Sequence, residues 1–299
     1  MHGNPIRIAA LTALTMVAFA GNSLLCRMAL RHTAIDAASF TTIRLIAGAL
    51  VLWLLVRLRP AALPGRGHWI SAAALFAYAA GFSFAYVSLP AATGALLLFG
   101  AVQATMIGRG LASGERLSGL RLAGFVLALG GLVSLLLPGL SAPPLLGSAL
   151  MIGAGVAWGI YSLRGRGAGD PTRVTAGNFV RAVPFGLALS LLMQGSATFD
   201  AAGVAYAVAS GAVTSGLGYA LWYSVLPALK ATNAATVQLS VPIIAALGGV
   251  VFLGEPVTLR LVFASVAILG GIAMVILVRH ERCATAADRP ADADVSARN

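Results

Sequence analysis

Ten apolar stretches of about 20 residues follow one another along the chain, and few residues remain between them. A helix of this length can cross a hydrocarbon core about 30 Å thick. Only 10% of the residues are charged, against about 25% in soluble domains, and the mean hydropathy is +0.91. The sequence therefore predicts an all-α polytopic membrane protein. Its ten predicted transmembrane helices cover residues 8–30, 35–57, 69–88, 91–110, 119–138, 145–165, 174–194, 202–223, 230–252 and 258–279.

The basic residues lie mostly on one side of this predicted bundle. With the N-terminus placed in the cytoplasm, fifteen of the twenty Arg and Lys residues fall in cytoplasmic segments, whereas Arg27, Arg31 and Arg260 fall on the outer side. Because cytoplasmic loops carry the excess of positive charge, both termini are expected to be cytoplasmic. Residues 280–299 are expected to form a disordered cytoplasmic tail. This topology accounts for the net charge of +11, so no nucleic-acid partner is predicted.

The sequence also repeats itself. A shift of 137 residues places Tyr86 on Tyr223 and Arg44 on Arg181, and after a short insertion a shift of 140 places "SGE" (113–115) on "LGE" (253–255). The repeated unit contains five helices, an odd number, so the second copy should enter the membrane from the opposite side. We therefore predict two inverted repeats, residues 6–138 and 145–279, each of five helices.

Inverted repeats have a mechanical consequence. If the two halves differ slightly in conformation, exchanging those conformations converts a cavity open on one side of the membrane into one open on the other. This predicts a transporter that works by alternating access. The alternative from another class is a membrane scaffold or receptor that transports nothing.

Chemistry-bearing residues are not clustered in the predicted spans. The four His and nine Asp or Glu residues fall at helix ends, in loops or in the tail, and the sequence contains no metal-ligand cluster, G-x-S-x-G motif or phosphate-binding glycine loop. We therefore expect no enzyme activity, no cofactor and no bound metal. Without a titrating group along the path, we also expect facilitated rather than proton-coupled transport. The predicted partners are a small-molecule substrate and the lipid bilayer; the oligomeric state stays open, and a monomer is compatible.

One segment carries a family resemblance. "VPIIAALGGVVFLGEPVTLRLVFASVAILGGIAMVIL" (241–277) resembles the end of an EamA repeat of the drug/metabolite transporter superfamily, and "SGERLSGLRLAGFVLALGGLVSLLL" (113–137) is a weaker copy. Within the superfamily the chain resembles the bacterial aromatic amino-acid exporter (YddG-like) branch. The resemblance implies a bacterial inner-membrane exporter of small amphipathic metabolites, amino acids foremost and aromatic ones among them. Export of another metabolite or of a drug is the alternative.

Two predicted helices present matching faces. Tyr78 and Phe82 lie four residues apart on the third helix, and the shift of 137 places them on Ser215 and Tyr219 of the eighth. Residues four apart share a helix face. Rings bury apolar area while hydroxyls orient a polar end, so these faces suit an amphipathic substrate. Packing between helices is the alternative.

Polar and aromatic side chains inside other spans extend this set. A polar group in the membrane is costly unless it faces a partner or a wet cavity, although hydrogen bonds between helices explain it equally well. The predicted substrate-binding residues are Asn22, Cys26, Tyr78, Phe82, Gln103, Trp158, Tyr161, Ser162, Ser215, Tyr219 and Gln238. The remaining tryptophans, Trp53, Trp69 and Trp222, lie near span ends and are expected at the membrane interface.

Two arginines lie inside predicted helices. We predict symmetric ion pairs, Arg44 with Glu255 and Arg181 with Glu115, because each acid lies at the same side of the membrane as its arginine. The pairs could form and break during gating or could hold the bundle together. Alternatively, each arginine could extend to the membrane surface without pairing.

Overall fold

The computed structural model describes residues 5–58, 64–114, 118–139, 142–165, 169–229 and 237–287. Within these ranges nine helices are long and apolar enough to cross a membrane, and a tenth apolar helix is shorter. The prediction of an all-α polytopic membrane protein is confirmed. The helices are α1 (Pro5–His32), α2 (Ala37–Leu58), α3 (Trp69–Tyr86), α4 (Ala91–Ala112), α5 (Gly119–Leu136), α6 (Leu145–Gly165), α7 (Pro171–Leu192), α8 (Ala201–Ala228), α9 (Ser240–Leu253) and α10 (Leu259–Ala287).

The last two helices differ from their predicted bounds. The predicted ninth helix begins at residue 230, whereas α9 begins at Ser240, and residues 230–236 lie outside the described ranges. Helix α10 continues to Ala287, eight residues beyond the predicted end of the tenth helix at residue 279. No Gly or Pro interrupts residues 277–287, and Ala, Arg and Glu favour the helix. Residues 288–299 lie outside the described part of the chain.

Acidic side chains start three of the helices. Each accepts hydrogen bonds from backbone N–H groups of the first turn, which have no partner within the helix. These caps are Asp36 on α2, Asp170 on α7 and Asp200 on α8. Asp36 also accepts a hydrogen bond from the Thr198 N–H at 2.9 Å, which ties the loop before α2 to the segment before α8.

The hydrogen bonds of Asp36 also affect its ionisation. Partial burial alone would raise the pKa of Asp36, but the hydrogen bonds donated by Ser39, Thr198 and Ala38 together hold this pKa below its ordinary value. Asp36 is therefore an ionised cap at neutral pH.

The helices pack in a regular set of pairs. Helix α2 packs against α7 and α5 against α10, while α6 lies against α3 and α4, and α1 lies against α8 and α9. Small residues permit the closest approaches. At Gly155 of α6, for example, an added Cβ would lie 2.6 Å from the Cβ of Ala101 on α4.

The tryptophans divide between surface and interior. Trp53 and Trp69 are about half exposed, at 49% and 57%, as expected for residues at an interface. The same prediction for Trp222 is wrong, because its side chain is only 8% exposed and its ring packs 6.1 Å from that of Phe19. Its position near the end of an apolar run did not reveal that α1 covers it.

Candidate functional site

Asn22 joins three helices in the middle of the bundle. Its Nδ2 donates to the Tyr78 hydroxyl at 3.2 Å, and its Oδ1 accepts from the hydroxyls of Ser210 at 2.7 Å and Thr214 at 3.2 Å. All four side chains are buried. A polar cluster that links α1, α3 and α8 is therefore built into the protein core.

The α8 side of this cluster is a π-helical segment, Ser210–Leu217. Such segments widen the helical turn and occur often at functional sites. The Cα of Gly211 abuts the backbone oxygen of Arg44 on α2, where a Cβ would not fit. Ser215 lies one turn further along, 1% exposed, and its hydroxyl has no hydrogen-bond partner among the described residues.

Arg44 lies beside this segment and is 2% exposed. Its Nη2 donates to the Tyr78 hydroxyl at 3.0 Å, and its Cζ lies 5.2 Å and 5.0 Å from the ring centres of Tyr78 and Phe82. Both rings are within range of a cation–π interaction. Its Nη1 has no hydrogen-bond partner in the described part of the chain.

Aromatic rings extend the cluster to α6. The Trp158 ring centre lies 4.8 Å from that of Tyr78, 5.3 Å from Tyr219 and 5.2 Å from Tyr161. The Tyr161 hydroxyl in turn accepts a hydrogen bond from Asn178 at 3.4 Å. Five helices thus contribute to one largely buried group of rings, hydroxyls and an amide around Arg44, which we call the central cluster: Asn22, Arg44, Tyr78, Phe82, Trp158, Tyr161, Ser210, Thr214, Ser215 and Tyr219.

The other sequence-predicted residues are placed less centrally. Cys26 is fully buried on α1, one turn from Asn22. Gln103 lines an apolar crevice between α4, α5 and α10. Ser162 and Gln238 are partly buried, and among the described residues no hydrogen bond links either of them to the central cluster.

A buried ion pair closes one end of the bundle, with a partner that differs from the predicted one. Glu255 pairs with Arg27 of α1, Nε to Oε1, at 2.9 Å. Arg27 also donates to the backbone oxygens of Tyr86 at 2.9 Å and Val87 at 3.1 Å, at the end of α3. The predicted Arg44–Glu255 pair is wrong, because Arg44 lies deeper and its bound Nη2 is directed to Tyr78.

Comparisons with known proteins give one family match and two groups of relatives. The profile of the EamA-like transporter family matches residues 145–277. The chain is 60% identical to the uncharacterized protein PA1977 of Pseudomonas aeruginosa, over 92% of this chain and 96% of that protein. It is 30% identical to the threonine/homoserine exporter RhtA of Escherichia coli K12 over 141 residues, which span 46% of this chain and 48% of that protein. The chain belongs to the EamA-like transporter family.

A solved structure supports the same fold. This crystal structure superposes with a TM-score of 0.62 at 18% identity, over 93% of this chain and 99% of that chain. The likeness concerns the fold alone. The family match and the sequence relatives make the chain an EamA-type member of the drug/metabolite transporter superfamily, and the apolar helices of the described residues make it a multi-pass membrane protein.

The "LGE" motif that this EamA-like chain carries at residues 253–255 has a physical explanation. Gly254 adopts a φ of +61°, which ends α9 and turns the chain back. Glu255 then reaches the first turn of α4, where its Oε2 accepts the Ala91 N–H at 2.7 Å while Oε1 binds Arg27. The motif therefore fastens α9 to α4 and α1 at one end of the EamA-like bundle.

The second predicted pair stays a prediction. Arg181 donates to the backbone oxygen of Gly177 on its own helix, and its Cζ lies 6.0 Å from the Trp69 ring centre. Its predicted partner Glu115 lies outside the described residues. Gly114, which precedes Glu115, has a φ of +87° and so resembles Gly254.

A cavity of about 620 Å³ opens at the other end of α1. It lies between the N-terminal half of α1, including Thr12 and Met16, and residues such as Leu229 and Ile244 around the start of α9. The Arg27–Glu255 pair thus links α1 to the turn that follows α9 at one end of the bundle, and this cavity opens between parts of the two helices at the other.

Proposed function

We propose that this EamA-like transporter exports small amphipathic metabolites, amino acids foremost, across the bacterial inner membrane by alternating access. The observation that carries the proposal is the central cluster, in which rings, hydroxyls, an amide and a guanidinium from both predicted halves meet in the membrane interior. Such a surface binds the apolar part of a substrate and orients its polar end. One chain supplies every member, so a monomer suffices.

Helix packing supports the inverted arrangement on which alternating access depends. Exchanging the predicted halves replaces each of the first five helices by the helix five places later. Under this exchange α2 becomes α7 and α5 becomes α10, so the α2–α7 and α5–α10 contacts are unchanged. The contacts of α6 with α3 and α4 become the contacts of α1 with α8 and α9, which the structure also contains. The shift of 140 residues places Gly114 on Gly254, and both have a positive φ. Gly254 precedes Glu255, which binds the start of α4, whereas Gly114 follows the end of α4, so the two glycines lie at opposite ends of the bundle.

The substrate class and direction follow from two supports. RhtA is named as a threonine/homoserine exporter, and the match spans about half of each chain. The rings of Tyr78, Trp158 and Tyr219 favour substrates with an apolar side chain, aromatic amino acids among them. Both termini are placed in the cytoplasm, because the basic residues then face inward.

The proposed transport is facilitated and needs no cofactor. Among the described acids, Asp36, Asp170, Asp200 and Glu255 bind backbone N–H groups at helix starts, and Glu255 also binds Arg27. None of these four contacts the central cluster. A proton-coupled carrier would need a titrating group there.

Counterflow in proteoliposomes tests the proposal. Vesicles with the wild-type protein are loaded with unlabelled threonine, homoserine or phenylalanine, and entry of the labelled compound is followed. We expect saturable counterflow with at least one of them, lost in Asn22→Leu and retained in Leu50→Ala, whose side chain is 61% exposed on α2. Counterflow with other metabolites or drugs alone would replace amino acids as the substrate class, and none with any solute would favour the scaffold. Uphill accumulation driven by a pH gradient would refute facilitated transport.

A further inference from the structure

The guanidinium of Arg44 carries a buried charge that no acid of the described chain balances. Of the acids whose side chains the structure describes, three cap helix starts and Glu255 is paired with Arg27. Arg44 is itself 2% exposed. A buried cation without an anionic partner is costly in the membrane, and such residues are usually functional.

The neighbours of Arg44 stabilise this charge only in part. The faces of Tyr78 and Phe82 attract the cation, and the Tyr78 oxygen accepts one of its hydrogen bonds. Nη1 is left without an acceptor among the described atoms. The two rings and the Tyr78 hydroxyl hold the Arg44 side chain in place, while its Nη1 donates no hydrogen bond to any described residue.

Two further donors of the central cluster have no assigned acceptor. The Tyr78 oxygen accepts hydrogen bonds from both Asn22 and Arg44, which leaves its own O–H to donate elsewhere. The buried hydroxyl of Ser215 has no partner in the described chain. Ser215 follows Gly211 by one turn of the π-helical segment, and Gly211 touches the Arg44 backbone. The central cluster thus contains a cation and two hydroxyl donors without an assigned acceptor, a combination suited to a group with negative charge.

We propose that Arg44 is the anchor for a carboxylate of the transported substrate, with the Tyr78 and Ser215 hydroxyls as further donors. This inference rests on the proposed function and specifies its substrate class: a metabolite with one carboxylate next to an apolar or aromatic body. The apolar body lies against Phe82, Trp158 and Tyr219. A singly charged carboxylate also matches the single cation, whereas a phosphate dianion would leave a net negative charge buried.

The test compares carboxylates with the matching amides, in which a neutral group replaces the carboxylate. Phenylalanine is paired with phenylalaninamide, and phenylacetate with phenylacetamide, since the second pair lacks the amino group. Equilibrium binding is measured with purified protein in detergent by tryptophan fluorescence, to which Trp158 contributes. The proteins are the wild type, Arg44→Gln, Arg44→Lys, and the control Arg57→Gln, which removes an exposed arginine from the same helix.

We expect the wild type and Arg57→Gln to bind each carboxylate about 10- to 100-fold more tightly than its amide, as a charged hydrogen-bonded pair would give. In Arg44→Gln the two affinities should become equal. In Arg44→Lys, which keeps the charge but not the fork, the preference should fall several-fold, and this variant serves if the Gln variant does not fold. An unchanged preference in both Arg44 variants, or no preference in the wild type, would overturn the proposal.

Failure of the proposed function gives a different result. If amino acids show no counterflow but phenylacetate binds in an Arg44-dependent manner, amino acids are not the substrate. The role of Arg44 in binding a carboxylate is then supported, with another carboxylate as the substrate. If amino acids are transported but Arg44 does not distinguish carboxylate from amide, the function stands and the anchor is refuted.

Discussion

The Arg27–Glu255 pair can be measured with a double-mutant cycle of Arg27→Gln and Glu255→Gln. The joined atoms lie 2.9 Å apart, and the two side chains are 4% and 10% exposed. Removing one partner of a buried pair costs about 3–5 kcal/mol, because the remaining charge stays buried.

Two features reduce this cost. Arg27 keeps its two carbonyl acceptors at the end of α3, and a glutamine at 255 can still accept the Ala91 N–H. We therefore expect each single variant to lose about 2–3 kcal/mol of unfolding free energy, with a coupling energy of about 1–2 kcal/mol between them.

The assay is equilibrium unfolding in mixed micelles, with the fraction folded followed as the share of denaturing detergent rises. Two matched cycles serve as controls, one with Arg31→Gln, an exposed arginine one turn further along α1, and one with Arg44→Gln. Both should be additive with Glu255→Gln to within about 0.5 kcal/mol. Coupling of Glu255 to Arg44, or its absence with Arg27, would refute the assigned pair.

Three further changes have expected outcomes. Gly155→Val places a Cβ 2.6 Å from that of Ala101 and should lower the unfolding free energy by about 1–3 kcal/mol. The control Gly153→Val on the same helix meets no atom within 4 Å and should lower the unfolding free energy clearly less. Equal losses would contradict the assigned α4–α6 contact. Tyr78→Phe removes the hydroxyl shared by Asn22 and Arg44 and should weaken amino-acid binding about tenfold without unfolding the protein; unchanged affinity would place the substrate elsewhere. The folded-state pKa of Asp36 lies below its ordinary value of 3.8, so the stabilisation by this carboxylate is present above pH 3.8 and is lost as the pH falls through the lowered pKa. Asp36→Asn should therefore be less stable than the wild type at pH 7. On acidification the difference in unfolding free energy should shrink, and a difference that grows would contradict the assignment.

The helices could be predicted from the sequence because the bilayer imposes their length and apolarity. The π-helical segment of α8 was not predicted, because hydropathy does not distinguish it from an α-helix. The only irregularity visible in the sequence was the series of glycines at 211, 216 and 218. The need for glycine at 211 becomes clear only from the neighbouring helix, because a Cβ there would collide with the backbone of Arg44 on α2.

The central cluster was predictable in part. Helical spacing and the internal repeat selected Tyr78 and Tyr219, and the structure brings both rings to Trp158. The partner of Glu255 was predicted wrongly, since Arg27 was counted only among the charges of the outer side and was not considered as a partner. Asn178 was not among the predicted site residues. In the structure it is 2% exposed, donates to the Tyr161 hydroxyl and accepts from the His68 N–H. Depth and direction of a polar side chain depend on the neighbouring helices, which a linear pattern does not specify.

Alternating access through the central cluster is tested most directly at Cys26, which is fully buried beside it. In proteoliposomes of uniform orientation, with Cys283 replaced by Ala, a membrane-impermeant thiol reagent is applied to one face at a time, with and without a transported amino acid. We predict slow modification of Cys26 from either face, and a change of both rates on addition of the substrate. Modification from one face only, or from neither under transporting conditions, would contradict alternating access.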